Sequence, residues 1–327
     1  MIEVPTCLVL GAGASAPYGF PVGDRLKERI ISTVARANDK HSSALKQAGF
    51  DPGILKEFVD AFRESGQESI DAFLAHRPGF LEVGKAAIAA VMILYETPGA
   101  LSNPPDRTDH WYSYLWGVLQ DGGAGAFGEN ALTVVTFNYD RSLERFLISA
   151  FANSFGVDLD EAAEVIRASI PIVHVHGRLG ALSDAVAGDR ERPYEISLDP
   201  VALKVAASQI IVLPEADDTS PEFKEAARMI RDARHVVFLG CKFHDPNMRR
   251  LHMPNPAGHS VHPCWLGSGY GMTVGEMDVV RRRRGIQVLA EKNLGLLRAT
   301  VALQPDLYSD GRGHPAIPWP PSNPYQP

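Results

Sequence analysis

The segment that most limits what this chain can fold into is Thr6–Leu10 followed at once by Gly11-Ala12-Gly13-Ala14-Ser15. The first five residues are β-rich and predict a short strand that stops at a tight turn. Beyond the turn, Asp24–Ala37 sets Leu26, Ile30, Ile31 and Val34 on one side at helical spacing, which predicts a helix. Strand, glycine turn and helix are the opening unit of a nucleotide-binding α/β domain. Glycines permit the turn and let backbone N–H groups approach a pyrophosphate, which sits favourably at a helix N-terminus. The usual dinucleotide fingerprint is incomplete, because GAGASAPYG does not spell GxGxxG. Nor does a second strand ending in an acidic residue follow about 20 residues later, as that fingerprint requires. An ordinary NAD-dependent dehydrogenase is therefore disfavoured. Tyr18-Gly19-Phe20-Pro21 continues the turn as a stiff, kinked piece suited to folding over a ligand.

The next stretch reads differently. From 40 to 128, apolar residues recur at helical spacing: Ile54, Leu55, Phe58, Val59 and Phe62, then Ile70, Phe73 and Leu74. Ala86–Tyr95 and Trp111–Leu119 continue the pattern, with Pro and Gly breaks between them and no strand pattern. Strand-like runs return at Leu132–Phe137, Ile170–His176, Ile210–Leu213, His235–Leu239, His262–Leu266 and Ile286–Ala290. Helical patterns at Ser142–Phe155, Glu161–Ala168 and Glu222–Arg231 separate several of them. Continuous apolar strands alternating with helices predict an α/β fold, a Rossmann-like parallel sheet with helices on both faces. The expected organisation is an α/β domain from 1–39 and 129–312, an inserted helical module over 40–128, and a proline-rich tail over 313–327.

Bulk properties narrow the setting. The chain has 327 residues, enough for one large core with a helical insertion. A formal charge of −7 argues against a large nucleic-acid footprint, so no direct nucleic-acid binding is expected. Arg281–Arg284 reads as the solvated end of a helix, with a phosphate site as its alternative. The three cysteines, Cys7, Cys241 and Cys264, show no CxxC spacing and suit a reducing compartment. The N-terminus has no basic, cleavable leader pattern, and the apolar run 86–95 falls well short of the roughly 20 residues that span a bilayer. The expectation is a cytoplasmic protein without a membrane contact.

Three strand ends carry polar residues, and in parallel sheets the carboxyl ends of strands face the ligand crevice. Thr136-Phe137-Asn138-Tyr139-Asp140 closes the first. Asn138 donates and accepts, which suits gripping a ribose hydroxyl or a water. Asp140 orients a neighbour or caps the following helix, and both readings stand. His174-Val175-His176-Gly177 closes the second, and two residues that far apart point to one face of a strand. His176, beside a glycine, is placed as a general base, whereas His174 reads as a satisfied core histidine. No ligand-spaced Asp, Glu or Cys accompanies them, so no metal is expected. Gly240 through Pro246 form the third end, where Gly240 allows close backbone approach and Asp245 binds ligand or caps a short helix at Asn247–Leu251.

Together these pieces resemble the sirtuin superfamily. GAGAS with the following GFP looks like its glycine loop, TFNYD like its T-x-N-x-D segment and HVHG like its catalytic His-Gly. FLGCKFHDPNMRRL resembles the late segment of the prokaryotic sirtuin-like NADase branch. The resemblance spans roughly residues 6–290. Protein-deacylating members carry a four-cysteine zinc module that this chain cannot build, and their G-x-P-D-F-R continuation is replaced by Gly19-Phe20-Pro21-Val22-Gly23-Asp24. Both departures look like the branch that hydrolyses NAD in bacterial antiphage defence. The resemblance implies NAD as substrate, with Gly11, Ala12, Gly13 and Ser15 at the phosphates and Pro21, Thr136, Gly240 and Asp245 lining the nucleotide. It implies Asn138 at the nicotinamide ribose, His176 as base and Asp140 beside them, with a homo-oligomer or partner protein completing a defence complex. The alternatives are an NAD-dependent deacylase or ADP-ribosyltransferase, and a non-catalytic subunit that binds NAD or ADP-ribose. The aromatic cluster Trp111, Tyr112, Tyr114 and Trp116 reads as helix-core packing or, alternatively, a contact surface.

Overall fold

The computed structural model describes residues 1–34, 40–183, 190–212, 219–253 and 265–300. The calls on Cys264, on 35–37, on 262–264 and on the 313–327 tail lie outside them. Strands β1 (Thr6–Leu10), β2 (Leu132–Thr136) and β3 (Ile172–His174) are followed by a small parallel pair, β4 (Ala181–Leu182) and β5 (Glu191–Arg192). Strands β6 (His235–Leu239), β7 (Trp265–Ser268) and β8 (Gln287–Leu289) come last. Six of these form one parallel sheet ordered β3-β2-β1-β6-β7-β8. Taken in chain order, that is the doubly wound pattern, whose direction reverses between β1 and β6 and opens its crevice there.

Side-chain alternation explains why both faces are covered. Leu8, Leu10 and Val134 enter a large core on one face, while Cys7, Val9, Val135 and Phe238 enter a smaller one on the other. Helix α1 (Asp24–Val34) follows the glycine turn. The stretch 40–128 is wholly helical in its regular structure: α2 (Lys40–Gln47), α3 (Pro52–Glu64), α4 (Ile70–His76), α5 (Leu81–Met92), α6 (Pro98–Ser102), α7 (Trp111–Leu119) and α8 (Gly123–Ala126), joined by 3₁₀ turns. Pro78–Tyr95, the one described helical stretch long and apolar enough to cross a membrane, lies mostly inside the protein. Ala86–Val91 are fully buried, so α5 is the axis of the insert rather than a membrane span.

After β2 the chain forms α9 (Ser142–Phe155) and α10 (Leu159–Ser169), then α11 (Pro200–Ser208), α12 (Pro221–Asp232), α13 (Asp245–Arg250), α14 (Val274–Arg284) and α15 (Asn293–Ala299). Two strand expectations need correction. Ile170–His176 shortens to Ile172–His174, because Pro171 offers no N–H and Gly177, at φ 67°, ends the run in a turn. Ile210–Leu213 is no strand within the described residues. Instead Ile210 makes an isolated antiparallel bridge to Gly177, and Ile211 N donates to His176 O. The segment crosses the end of β3 rather than running beside it.

One buried ion cluster fastens the insert to the sheet. Glu96 accepts from Arg141 Nε at 2.9 Å and Nη2 at 2.7 Å, and also from Arg192. All three side chains are inaccessible to solvent. The second positive charge is spread over carbonyl oxygens, with Arg141 donating to Gly180, Ala181, Arg192 and Pro193.

Candidate active site

The glycine turn owes its form to another loop. A Cβ on Gly11 would stand 2.6 Å from Gly240 O, and one on Gly13 would stand 2.8 Å from Gly240 Cα. Gly240 itself sits at φ 61°, where a Cβ would run into Ala14 N. The two loops at the reversal point of the sheet are thus pressed backbone to backbone. Gly11 N donates to Leu239 O, Gly13 N to Gly240 O and Ala14 N to Gly11 O, while Ser15 N donates to Ala12 O. Two of those N–H groups close the turn and two join it to the Gly240 loop. Ala12 is the exposed residue of the turn, and Pro21 is buried beyond the left-handed Gly19.

Asn138 ties the end of β2 to this turn. Its Nδ2 donates to Gly11 O at 3.0 Å and to Ser15 Oγ at 3.1 Å, and its own N–H is received by Thr136 Oγ1 at 3.0 Å. Asp140 is buried and accepts from the N–H and hydroxyl of Ser142, at the start of α9. Burial pushes its carboxyl up, against the hydroxyls of Ser142 and Ser15, which favour the charged form. Tyr112 Oη lies 2.6 Å from Ser142 Oγ, and burial drives its phenol upward too. Leu10, Ser15, Tyr112, Thr136, Asn138, Asp140, Glu144 and His174 line one enclosed recess at the carboxyl end of the sheet.

The two histidines part company here. His174 Nδ1 lies 2.9 Å from Asn138 O and its Nε2 2.8 Å from Glu144 Oε1, so both nitrogens are engaged, as the core reading expects. Burial raises Glu144, yet the charges of His174 and Arg178 outweigh it and hold the carboxyl below its ordinary range. His176 does not share this face. The turn after β3 rotates its ring onto Phe137 and Phe223, with centroids 5.8 and 5.7 Å away. The expectation that both point one way therefore fails, because the strand ends before the second histidine. His176 is 6% exposed and its Nδ1 has no hydrogen-bond partner. Burial depresses its basicity, Asp71 opposes that shift, and Arg250 adds to it.

Asp245 faces elsewhere. It begins α13 and pairs with Arg284 at 2.6 Å and Arg283 at 3.4 Å, while Arg281 and Arg282 pair with Asp278. The arginine run is a helix end with acidic partners, and Asp245 is brought to it rather than to Asn138. Between Gly240 and Asp245, Phe243 holds φ 53°, an uncommon conformation for a bulky residue.

Ser15, Thr136, Asn138 and Asp140 thus converge in one recess, with Gly11 tied to it through Asn138 and His176 across the strand ends from them. Residues 132–253 match the model of the SIR2-like domain. That match opens on the first residue of β2 and closes just past α13, so it takes in Asn138, Asp140, His176 and Gly240 but not the glycine turn or the insert. It supports the Sir2-like superfamily for this chain, and with it an NAD-related function. No curated protein matches the sequence.

Several site residues escaped the sequence reading. Tyr112 was legible only as part of an aromatic cluster, of which Trp111, Tyr112 and Trp116 are buried core and Tyr114 is half-buried against it. Glu144 sits in the first turn of α9 and had no separate signal. Asn293 Nδ2 donates to Gly13 O and Asp109 Oδ2, bracing the turn from α15, and nothing local in the sequence marks it. Among the described residues no three His, Cys, Asp or Glu side chains gather as a metal site.

Proposed function

We propose that this protein hydrolyses NAD at the nicotinamide–ribose bond, giving nicotinamide and ADP-ribose, and that it serves bacterial antiphage defence by depleting NAD in the cytoplasm. One observation carries the reading: Asn138 bridges the glycine turn and the end of β2 over a recess that also holds Asp140, within a stretch that matches the SIR2-like domain. The chemistry needs a ribose held at C1′ while positive charge develops there. Fixed dipoles and buried carboxylates at the recess stabilise that charge without reorganising. The C1′–N bond breaks with its electron pair leaving on nicotinamide, which departs neutral. Water adds to C1′, and its proton passes to His176, whose depressed basicity and unpartnered Nδ1 leave it free to accept. Glycine-turn N–H groups already used internally leave the pyrophosphate to the exposed outer edge of the turn near Ala12. A homo-oligomer or a partner protein completes the working complex.

Incubation with NAD, with nicotinamide and ADP-ribose followed by chromatography, tests the proposal. Release of both products with no protein acceptor present supports a hydrolase. Release strictly dependent on an acyl-lysine or another protein acceptor would turn the reading to a transferase. Binding of NAD or ADP-ribose by calorimetry with no nicotinamide release would turn it to a binding subunit.

A further inference from the structure

Asn138 lies beyond the end of β2 and before the start of α9, so neither a sheet ladder nor a helix serves its carbonyl. Side chains hold its backbone instead. Thr136 Oγ1 accepts its N–H at 3.0 Å, and His174 Nδ1 lies 2.9 Å from its carbonyl oxygen. Its own Nδ2 spends both hydrogens, on Gly11 O at 3.0 Å and Ser15 Oγ at 3.1 Å, which leaves Oδ1 to receive a hydroxyl. His174 is itself fixed from behind, because Glu144 Oε1, in the first turn of α9, is 2.8 Å from its Nε2. Arg178 Nη1 stands 3.8 Å from the same carboxylate oxygen.

We propose that His174 and Glu144 are a positioning pair for Asn138, aligning its Oδ1 with the ribose in the recess. The inference deepens the hydrolase reading and rests on it for its purpose, while the alignment itself can be measured without NAD. A carbonyl oxygen only accepts, so Nδ1 carries the hydrogen directed at Asn138. One bond alone would let the imidazole pivot about its side-chain torsions. The second contact, to Glu144, closes that freedom and points Nδ1 along one line. Both residues line the recess with Asn138, beside the apolar Leu143 and Ile172. Apolar side chains in their place would fill the same space with no charge to desolvate, so stability alone is a poor reason for the pair. What the pair supplies, and an apolar filling does not, is direction.

Two replacements separate direction from filling. His174→Asn keeps an amide N–H where Nδ1 stood and gives up the contact with Glu144. His174→Gln keeps the reach to Glu144 and gives up the bond to Asn138. NMR on the asparagine-labelled full chain reads the Asn138 side-chain amide, assigned by its loss in Asn138→Ala. His174→Gln should displace or broaden that signal, and His174→Asn should leave it closer to wild type. Both variants lack the ring, so the difference between them reports the hydrogen bond. In nicotinamide release, His174→Gln should lower kcat by about 10- to 100-fold with KM held within about threefold. His174→Asn should recover part of that loss. Glu144→Leu should lower kcat by a smaller factor, and Glu144→Gln, which retains an oxygen acceptor, by less again. An unmoved amide signal or an unchanged kcat in folded His174→Gln overturns the proposal, as does equal impairment of the two His174 variants. A displaced signal in a chain whose wild type releases no nicotinamide upholds the pair and sinks the hydrolase reading instead.

Discussion

The two sides of the β2 and β3 strand ends are built on opposite plans. On the Asn138 side, every functional group has protein partners: Asn138 bridges two loops, Asp140 takes two hydrogen bonds, and both nitrogens of His174 are occupied. On the His176 side, a buried ring nitrogen has no partner and the neighbours are largely aromatic. The first arrangement suits holding a ligand in one pose, since satisfied groups need not move. The second suits proton exchange, because a group already locked by two hydrogen bonds cannot take part cheaply. A site that both grips and transfers needs both plans, and here they are divided between two sides of the same strand ends.

The comparison breaks first at its ends. Asn138→Ala and His176→Ala should each cut nicotinamide release by roughly 10²–10⁴-fold with the fold retained, as read by circular dichroism. Wild-type turnover in folded His176→Ala would remove that side from the chemistry. Next in size is the tether that fixes the Asn138 loop. Glu96→Ala leaves Arg141 and Arg192 buried without their anion, and should cost about 3–5 kcal/mol in denaturant unfolding. A cost below about 1 kcal/mol would show the cluster opening to water instead.

Smaller effects sharpen the contrast. Glu144→Gln removes a charged acceptor from His174, worth about 1.5–3 kcal/mol. Its sign with pH is fixed by the depressed carboxyl. The stabilisation is present above the ordinary glutamate range and is lost as pH falls through the lower folded value, so the variant should flatten the acid limb of the stability curve. Tyr112→Phe deletes one hydroxyl contact to Ser142 and should cost about 0.5–1.5 kcal/mol, with little change at the His176 side.

The sequence made the sheet and the turn legible because their signals are local. Thr6–Leu10, the glycine run and the apolar strand cores each declare themselves within a few residues. The convergence of Ser15, Thr136, Asn138 and Asp140 followed from one rule, that strand ends meet at the crevice. What stayed hidden is long-range. That Gly240 shapes the turn at Gly11 depends on two loops meeting, and that Tyr112 belongs at the site depends on how the insert docks. The rotation of His176 away from His174 was missed for a different reason. Period-two alternation holds only while a strand lasts, and Gly177 ends it early.

The place of β1 in the sheet has a consequence for how the polypeptide is made. It lies between β2 and β6, so during synthesis it waits for both neighbours, the later of them beginning at residue 235. Until then one hydrogen-bonding edge of a strand that is wholly buried in the fold is open, a state in which a nascent chain is prone to stick to others. The stretch 132–253, expressed alone, would carry β2, β3 and β6 without the strand that separates them. It is not a unit of folding, and attempts to purify it by itself should yield aggregate.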